Sequence, residues 1–133
     1  MTSSLNSFED LKCWQAGAKL RKEIRVLTNT FPSEEKFRLT DQMIRCSRSI
    51  TNNIAEGFGR FHYQENAQFC RQSRGSLSEL TDHLLIAFDE KYISAEELQK
   101  FKTEITECLA LLNGYINYLM KKKITSSGKS NNC

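Results

Sequence analysis

The sequence predicts an all-α protein, specifically an antiparallel up-down-up-down four-helix bundle, on three observations. Apolar residues recur at three- and four-residue steps through four separate stretches, the period of a helix with one buried face. Short polar connections divide those stretches, which favours antiparallel neighbours. The chain contains one proline in 133 residues, with 39% hydrophobic and 26% charged side chains, and shows no strand-like alternation, internal repeat or linker. A chain of this length buries about two-thirds of its unfolded surface, enough for one core.

The first helix is expected to begin at Ser7, an N-cap followed by Glu9 and Asp10 where the helix dipole favours acid. It should end near Thr28 or Asn29. Successive 100° steps place Gly17, Leu20, Ile24 and Leu27 on one face, while Leu11, Trp14 and Ala18 form a second apolar group. A loop around Phe31-Pro32 precedes helix two, which starts between Ser33 and Leu39 and runs to Glu56, with Gly57 as the C′ residue. Leu39, Met43, Cys46, Ile50, Asn53 and Ile54 share its inner face. Arg38, Asp41, Arg45, Arg48 and Asn52 share the opposite one. A tight connection over 58–62 leads to helix three, from about Tyr63 to Asp89, with Cys70, Ser73, Leu77, Leu80, Leu84 and Phe88 inside and Gly75, Glu79 and Ile86 on the far side. Ser94 with Glu97 forms a capping box, and Ile93 with Leu98 a hydrophobic staple, at the start of helix four. Its seam is Leu98, Phe101, Ile105, Leu109, Leu112, Ile116 and Leu119, extended sideways by Leu111, Tyr115 and Tyr118. Residues 1–120 are thus expected to form one domain, and 121–133, KKKITSSGKSNNC, a disordered basic tail.

The net charge of +3 is unevenly spread. The blocks 1–35, 36–74, 75–120 and 121–133 carry 0, +4, −5 and +4, and six of the eight arginines lie in the second. A solvated helix face is the plain reading of such charge. Arginine's planar fork, which matches phosphate, favours an anionic partner.

Other chemistry is poorly supported. No run approaches the 18 apolar residues of a membrane span, and MTSSLNSFED lacks the order of a signal peptide, so the expected compartment is the cytoplasm and no membrane partner is expected. Cysteines at 13, 46, 70, 108 and 133 are odd in number and include no CxxC pair, arguing against a disulfide framework or zinc site. The Glu-x-x-His spacing of di-iron bundles is absent; Glu79 and His83 are four apart and placed away from the inner stripe. Gly57-Phe58-Gly59-Arg60 joins helix to helix and lacks a Lys-Ser/Thr ending, so it reads as a turn rather than a phosphate loop. No nucleophile has a matched base and oxyanion site. The expectation is a non-enzymatic protein without cofactor or metal.

The segment RCSRSITNNIAEGFGR, residues 45–60, together with FEDLKCW at 8–14, Phe31-Pro32, Leu39 to Gln42 and SRGSLSE at 73–79, resembles the four-helix-bundle family of proteins encoded by intervening sequences within bacterial 23S rRNA genes, related to accessory proteins of diversity-generating retroelements. The resemblance maps the motif onto Ser49, Asn53, Ile54, Ala55, Glu56, Gly57 and Arg60, then Gly75, Ser76 and Glu79, and assigns none of them a catalytic role. Asn53 and Glu56 read either as groups satisfying local backbone and Arg60 or as ligand contacts; an unpartnered buried polar group would cost about 1–3 kcal/mol. Gly75 in mid-helix costs about 1 kcal/mol relative to alanine, which close approach by another helix or subunit would explain.

The resemblance implies a ring-shaped homopentamer, with some relatives binding nucleic acid or a reverse transcriptase through a basic surface. The expected nucleic-acid contacts are Arg38, Arg45, Arg48, Arg60 and Lys121, Lys122 and Lys123. The expected oligomer interface is Leu11, Trp14, Ile86, Leu111, Tyr115 and Tyr118. The competing expectation is an assembly scaffold that uses the same apolar faces and binds no nucleic acid.

Overall fold

The structure, a computed structural model, describes residues 7–131, with side chains described through residue 125. Four α-helices account for the described architecture: α1 Lys12–Thr28, α2 Leu39–Phe58, α3 Tyr63–Asp89 and α4 Ala95–Asn131. Each packs on its neighbours in sequence, and α1 also closes on α4. Partner numbers fall on one helix as they rise on the other. Ser73, Ser76 and Asn66 of α3 meet Ile50, Cys46 and Gly57 of α2, and Cys13, Lys19 and Glu23 of α1 meet Cys108, Glu104 and Lys100 of α4. These pairs therefore run antiparallel. Leu20, Ile24, Met43, Ile50, Ile54, Leu77, Leu80, Leu84, Leu112 and Leu119 fill the centre, almost wholly removed from water.

The first helix departs from expectation at its start. Ser7 does act as a cap, its hydroxyl accepting from the Glu9 N–H at 3.1 Å, but for a single 3-10 turn, Phe8–Asp10. Leu11 is then extended, with ψ 128°, and α1 begins at Lys12. That break turns Leu11 into the core, where it is 6% exposed. Ala18 is also buried, and Trp14 is partly covered by Phe8, their ring centroids 5.4 Å apart. The second apolar group on α1 is therefore largely internal to the chain's own fold, because it packs under its own N-terminal turn.

A 3-10 turn, Ser33–Glu35, leads into α2, and the Glu35 carboxylate accepts from the first N–H of that helix, Leu39, at 3.2 Å. Its other oxygen accepts from the Tyr92 hydroxyl at 2.7 Å, tying this corner to the α3–α4 connection. Helix α2 continues through Gly57 to Phe58, with no glycine at positive φ among the described residues. Gly57 is thus not a C′ residue. The left-handed position falls at Lys91, φ 65°, where Tyr92 N–H to Ala87 C=O and Lys91 N–H to Phe88 C=O, both 2.9 Å, close a Schellman motif after α3.

Helix three matches its expected span, and the capping box forms as read, Glu97 N–H to Ser94 Oγ at 3.0 Å and Ser94 N–H to Glu97 Oε1 at 2.9 Å. Residue 120 is not the end of the helix. Helix α4 runs on through Lys121, Lys122 and Lys123 to Asn131, with no proline to interrupt it. Residues 132 and 133 of the expected tail lie outside the described residues.

Candidate nucleic-acid interface

The expected arginine face lies on the surface of α2: Arg38, Arg45 and Arg48 are all exposed. Their charges are not equally available. Arg45 Nε lies 3.1 Å from Asp41 Oδ2, one turn back on α2, and Arg60 Nη2, two residues past the end of α2, lies 3.0 Å from Glu56 Oε2. Arg48 faces a different environment. With Arg21, Lys22 and Arg25 of α1 it lines a groove of about 240 Å³ floored by Ile44 and Ser47. None of these four cations is in an ion pair among the described residues. Arg21 stacks over Trp14, 5.6 Å from the ring centroid, and its Nη1 is buried without a hydrogen-bond partner. Water and salt screen these largely exposed charges, and a bound anion would lower their mutual repulsion further.

Arg21, Lys22 and Arg25 were missed by block charges because five acids cancel them in residues 1–35. The acids point elsewhere: Glu23, for example, faces Lys19 and Lys100 toward α4. The useful signal was angular. Arg21 and Arg25 are four apart and continue the Leu11, Trp14, Ala18 side of the helix, which borders α2. Lys121, Lys122 and Lys123 sit on α4, away from this groove, with Lys122 Nζ 5.7 Å from the Tyr118 ring centroid.

The model of the 23S rRNA-intervening sequence protein family matches residues 9–114. The chain belongs to that family. A solved structure, a protein of unknown function from the S23 ribosomal protein family of Bacteroides thetaiotaomicron VPI-5482, superposes with a TM-score of 0.73 at 21% identity, covering 79% of this chain and 95% of that one. At that identity the likeness establishes the fold. No curated protein matches the chain.

In this family member the polar signature forms a seam between α2 and α3. Asn53 Nδ2 donates to Ser49 O at 2.9 Å and to Ser49 Oγ at 3.0 Å, and Ser49 Oγ lies 2.8 Å from Ser76 Oγ. Ser73, fully buried, donates to Ile50 O at 2.8 Å, and the Cys46 thiol lies 3.1 Å from Ser76 O. Small side chains here let the two backbones approach. Gly57 takes part in the same approach, since a Cβ there would lie 2.9 Å from the Asn66 carbonyl oxygen. Gly75 does not, having nothing within 4 Å of a built Cβ, so no helix of its own chain explains it.

His83 corrects an expectation. It is buried rather than turned away from the interior, with Nε2 3.1 Å from the exposed Glu79 carboxylate and Nδ1 unpartnered. Donor atoms of Cys46, Glu79 and His83 lie within 4.8 Å of one another. Burial, then the Glu79 charge, pushes the Cys46 thiol up to about 12, so an ion here would have to displace a firmly held proton. Burial likewise lifts Cys70 and Cys108 to about 12 and Cys13 to about 11, leaving these thiols poor nucleophiles at neutral pH.

Proposed function

We propose that this protein binds RNA or DNA phosphates, without enzymatic activity, through the basic groove between α1 and α2. The observation that carries the reading is the set of four cations without ion-pair partners, Arg21, Lys22, Arg25 and Arg48, converging on one groove. Arg38 extends this surface at the start of α2. Arg45 and Arg60, already neutralised by Asp41 and Glu56, contribute less. Arginine forks recognise phosphate oxygens irrespective of sequence, so the binding is largely sequence-independent and salt-sensitive. Membership of a family named for 23S rRNA intervening sequences supports a nucleic-acid setting, and an accessory role beside a processing enzyme such as a reverse transcriptase is compatible with it.

The protein acts as a homo-oligomer in this proposal, with a pentamer as the expected assembly. Exposed Ile86 and Leu111 support a surface that another subunit covers. Leu11 is withdrawn from that surface by its burial. A purely structural scaffold is the second reading, supported by those same apolar groups.

Fluorescence anisotropy with a labelled single strand separates the two. If each of the four cations neutralises one phosphate, log affinity falls with log salt with a slope of about −3 per protomer. Arg25→Glu with Arg48→Glu should abolish binding without loss of helicity, while Arg45→Glu should have a smaller effect. Absence of binding at low salt would leave the scaffold reading.

A further inference from the structure

The α2–α3 turn holds a second feature that the basic groove does not use. Phe61 is 93% exposed, the most exposed large apolar side chain among the described residues. It contributes little to the fold there. His62 packs edge-on against it, ring centroids 5.0 Å apart, so the two project from the turn together. Across a cleft of about 190 Å³ stand Tyr115 and Tyr118 of α4, their rings 13° from parallel and 6.2 Å apart. Tyr118 is about half exposed, and Lys122 lies over its ring. The cleft is smaller than the roughly 300 Å³ at which drug-sized pockets begin, which suits one planar ring rather than a larger ligand.

The cleft also carries a hydrogen-bonding group aimed by the fold. Asn66, buried, donates from Nδ2 to the Tyr115 hydroxyl at 3.0 Å. The hydroxyl therefore acts as acceptor towards Asn66, and its own proton has no partner among the described residues. Burial pushes this phenol up to about 12, so it remains a donor at neutral pH. Aromatic faces, a neighbouring ammonium and a held donor together make a site for a flat heterocycle with acceptor atoms on its edge.

We infer that the cleft formed by Phe61, His62, Tyr63, Tyr115 and Tyr118 stacks an unpaired base of a single-stranded nucleic acid whose phosphates follow the basic surface of α2. The inference rests on the proposed phosphate binding and adds strand selectivity to it. Bases within a duplex are stacked on one another and cannot enter; an unpaired base has a free face for the aromatic rings. Arg48 lies ten residues before the end of α2, about 15 Å along its axis, and Arg60 two residues past that end, within reach of a strand of about 4–16 nucleotides. Sequence reading assigned Tyr115 and Tyr118 to an oligomer interface; here they face the 58–63 segment of their own chain.

The test compares three probes at low salt: single strands of RNA and DNA of about twelve nucleotides, the corresponding duplexes, and inorganic polyphosphate, which has no bases. The full chain should prefer the single strands. Phe61→Ala and Tyr118→Ala should each weaken single-strand binding about 5- to 150-fold while leaving polyphosphate and duplex within about two-fold. Unchanged single-strand affinity, equal loss for polyphosphate, or no preference over duplex would overturn the inference. Native mass spectrometry of both variants checks assembly, and dissociation would mark the patch as a subunit contact and overturn it as well. If polyphosphate fails to bind the wild type, the groove reading falls. The stacking inference then stands only if a trinucleotide shifts the Tyr115 and Tyr118 ring resonances, and falls if it does not.

Discussion

Two glycines in the signature region should respond oppositely to alanine. A Cβ on Gly57 would stand 2.7 Å from Asn66 Oδ1, 2.9 Å from Asn66 O and 3.0 Å from Phe69 Cβ. The carbonyl belongs to the backbone of α3, and Asn66 Nδ2 is committed to Tyr115, so relief requires the helices to move apart. Overpacking costs about 1–3 kcal/mol, and with a backbone atom in the way the upper part of that range, about 2–3 kcal/mol, applies; against about 1 kcal/mol gained from helix propensity, the net loss is about 1–2 kcal/mol. Gly57→Val adds two methyl groups and should lose more. Gly75→Ala meets nothing within 4 Å and should gain about 1 kcal/mol. At about 3–5 °C per kcal/mol for a chain of this size, the melting temperatures of the two alanine variants should differ by about 10 °C. Gly57→Asn supplies the refutation. If Gly57 were a left-handed cap, asparagine would be tolerated better than alanine; close approach requires it to be worse. Asparagine outperforming alanine, or alanine matching the wild type, would refute the close-approach account. A Gly75→Ala variant that dissociates the assembly would show another subunit at that face.

Lys91→Gly should stabilise by about 1 kcal/mol, read in chemical denaturation, because Lys91 occupies the left-handed position that glycine adopts without penalty. Ser94→Ala should cost about 1 kcal/mol by the same measurement, since it breaks the reciprocal cap on α4. At pH 8, Ellman's reagent should leave Cys13, Cys46, Cys70 and Cys108 unmodified in the native protein and modify all of them in denaturant; rapid native reaction at any of the four would contradict their burial. These thiol pKa values are raised above the ordinary 9.0, so the associated stability is complete below pH 9 and lost as pH rises towards 11 to 12, which alkaline melting curves should show. Native mass spectrometry should find a multiple of the 15.4 kDa chain, five copies in the expected ring, and a monomer would remove the assembly proposal.

The helices were legible because burial imposes a period on them. Leu39, Met43, Cys46, Ile50 and Ile54 could be assigned to one face without knowing what they touch, and the Ser94–Glu97 box is local chemistry. Features depending on a neighbouring helix were not legible. Gly57 looked like a cap because it precedes a turn, yet its role is set by Asn66 and Phe69 on α3. Leu11 looked like surface because an unbroken helix would have carried it outward, and one extended residue reversed that. The candidate site divided similarly. The α2 arginines were visible as a stripe, but their availability depends on Asp41 and Glu56, and Arg21 and Arg25 gain meaning only once α1 lies beside Arg48.

Amide chemical-shift mapping of isotope-labelled protein with a short single strand, first at low salt and then at high salt, tests phosphate binding in the α1–α2 groove most directly. The largest shifts should fall on Lys22, Arg25, Ile44, Ser47 and Arg48 and disappear as salt rises. Shifts centred on the acidic residues of α3 and α4, or none at low salt, would contradict it.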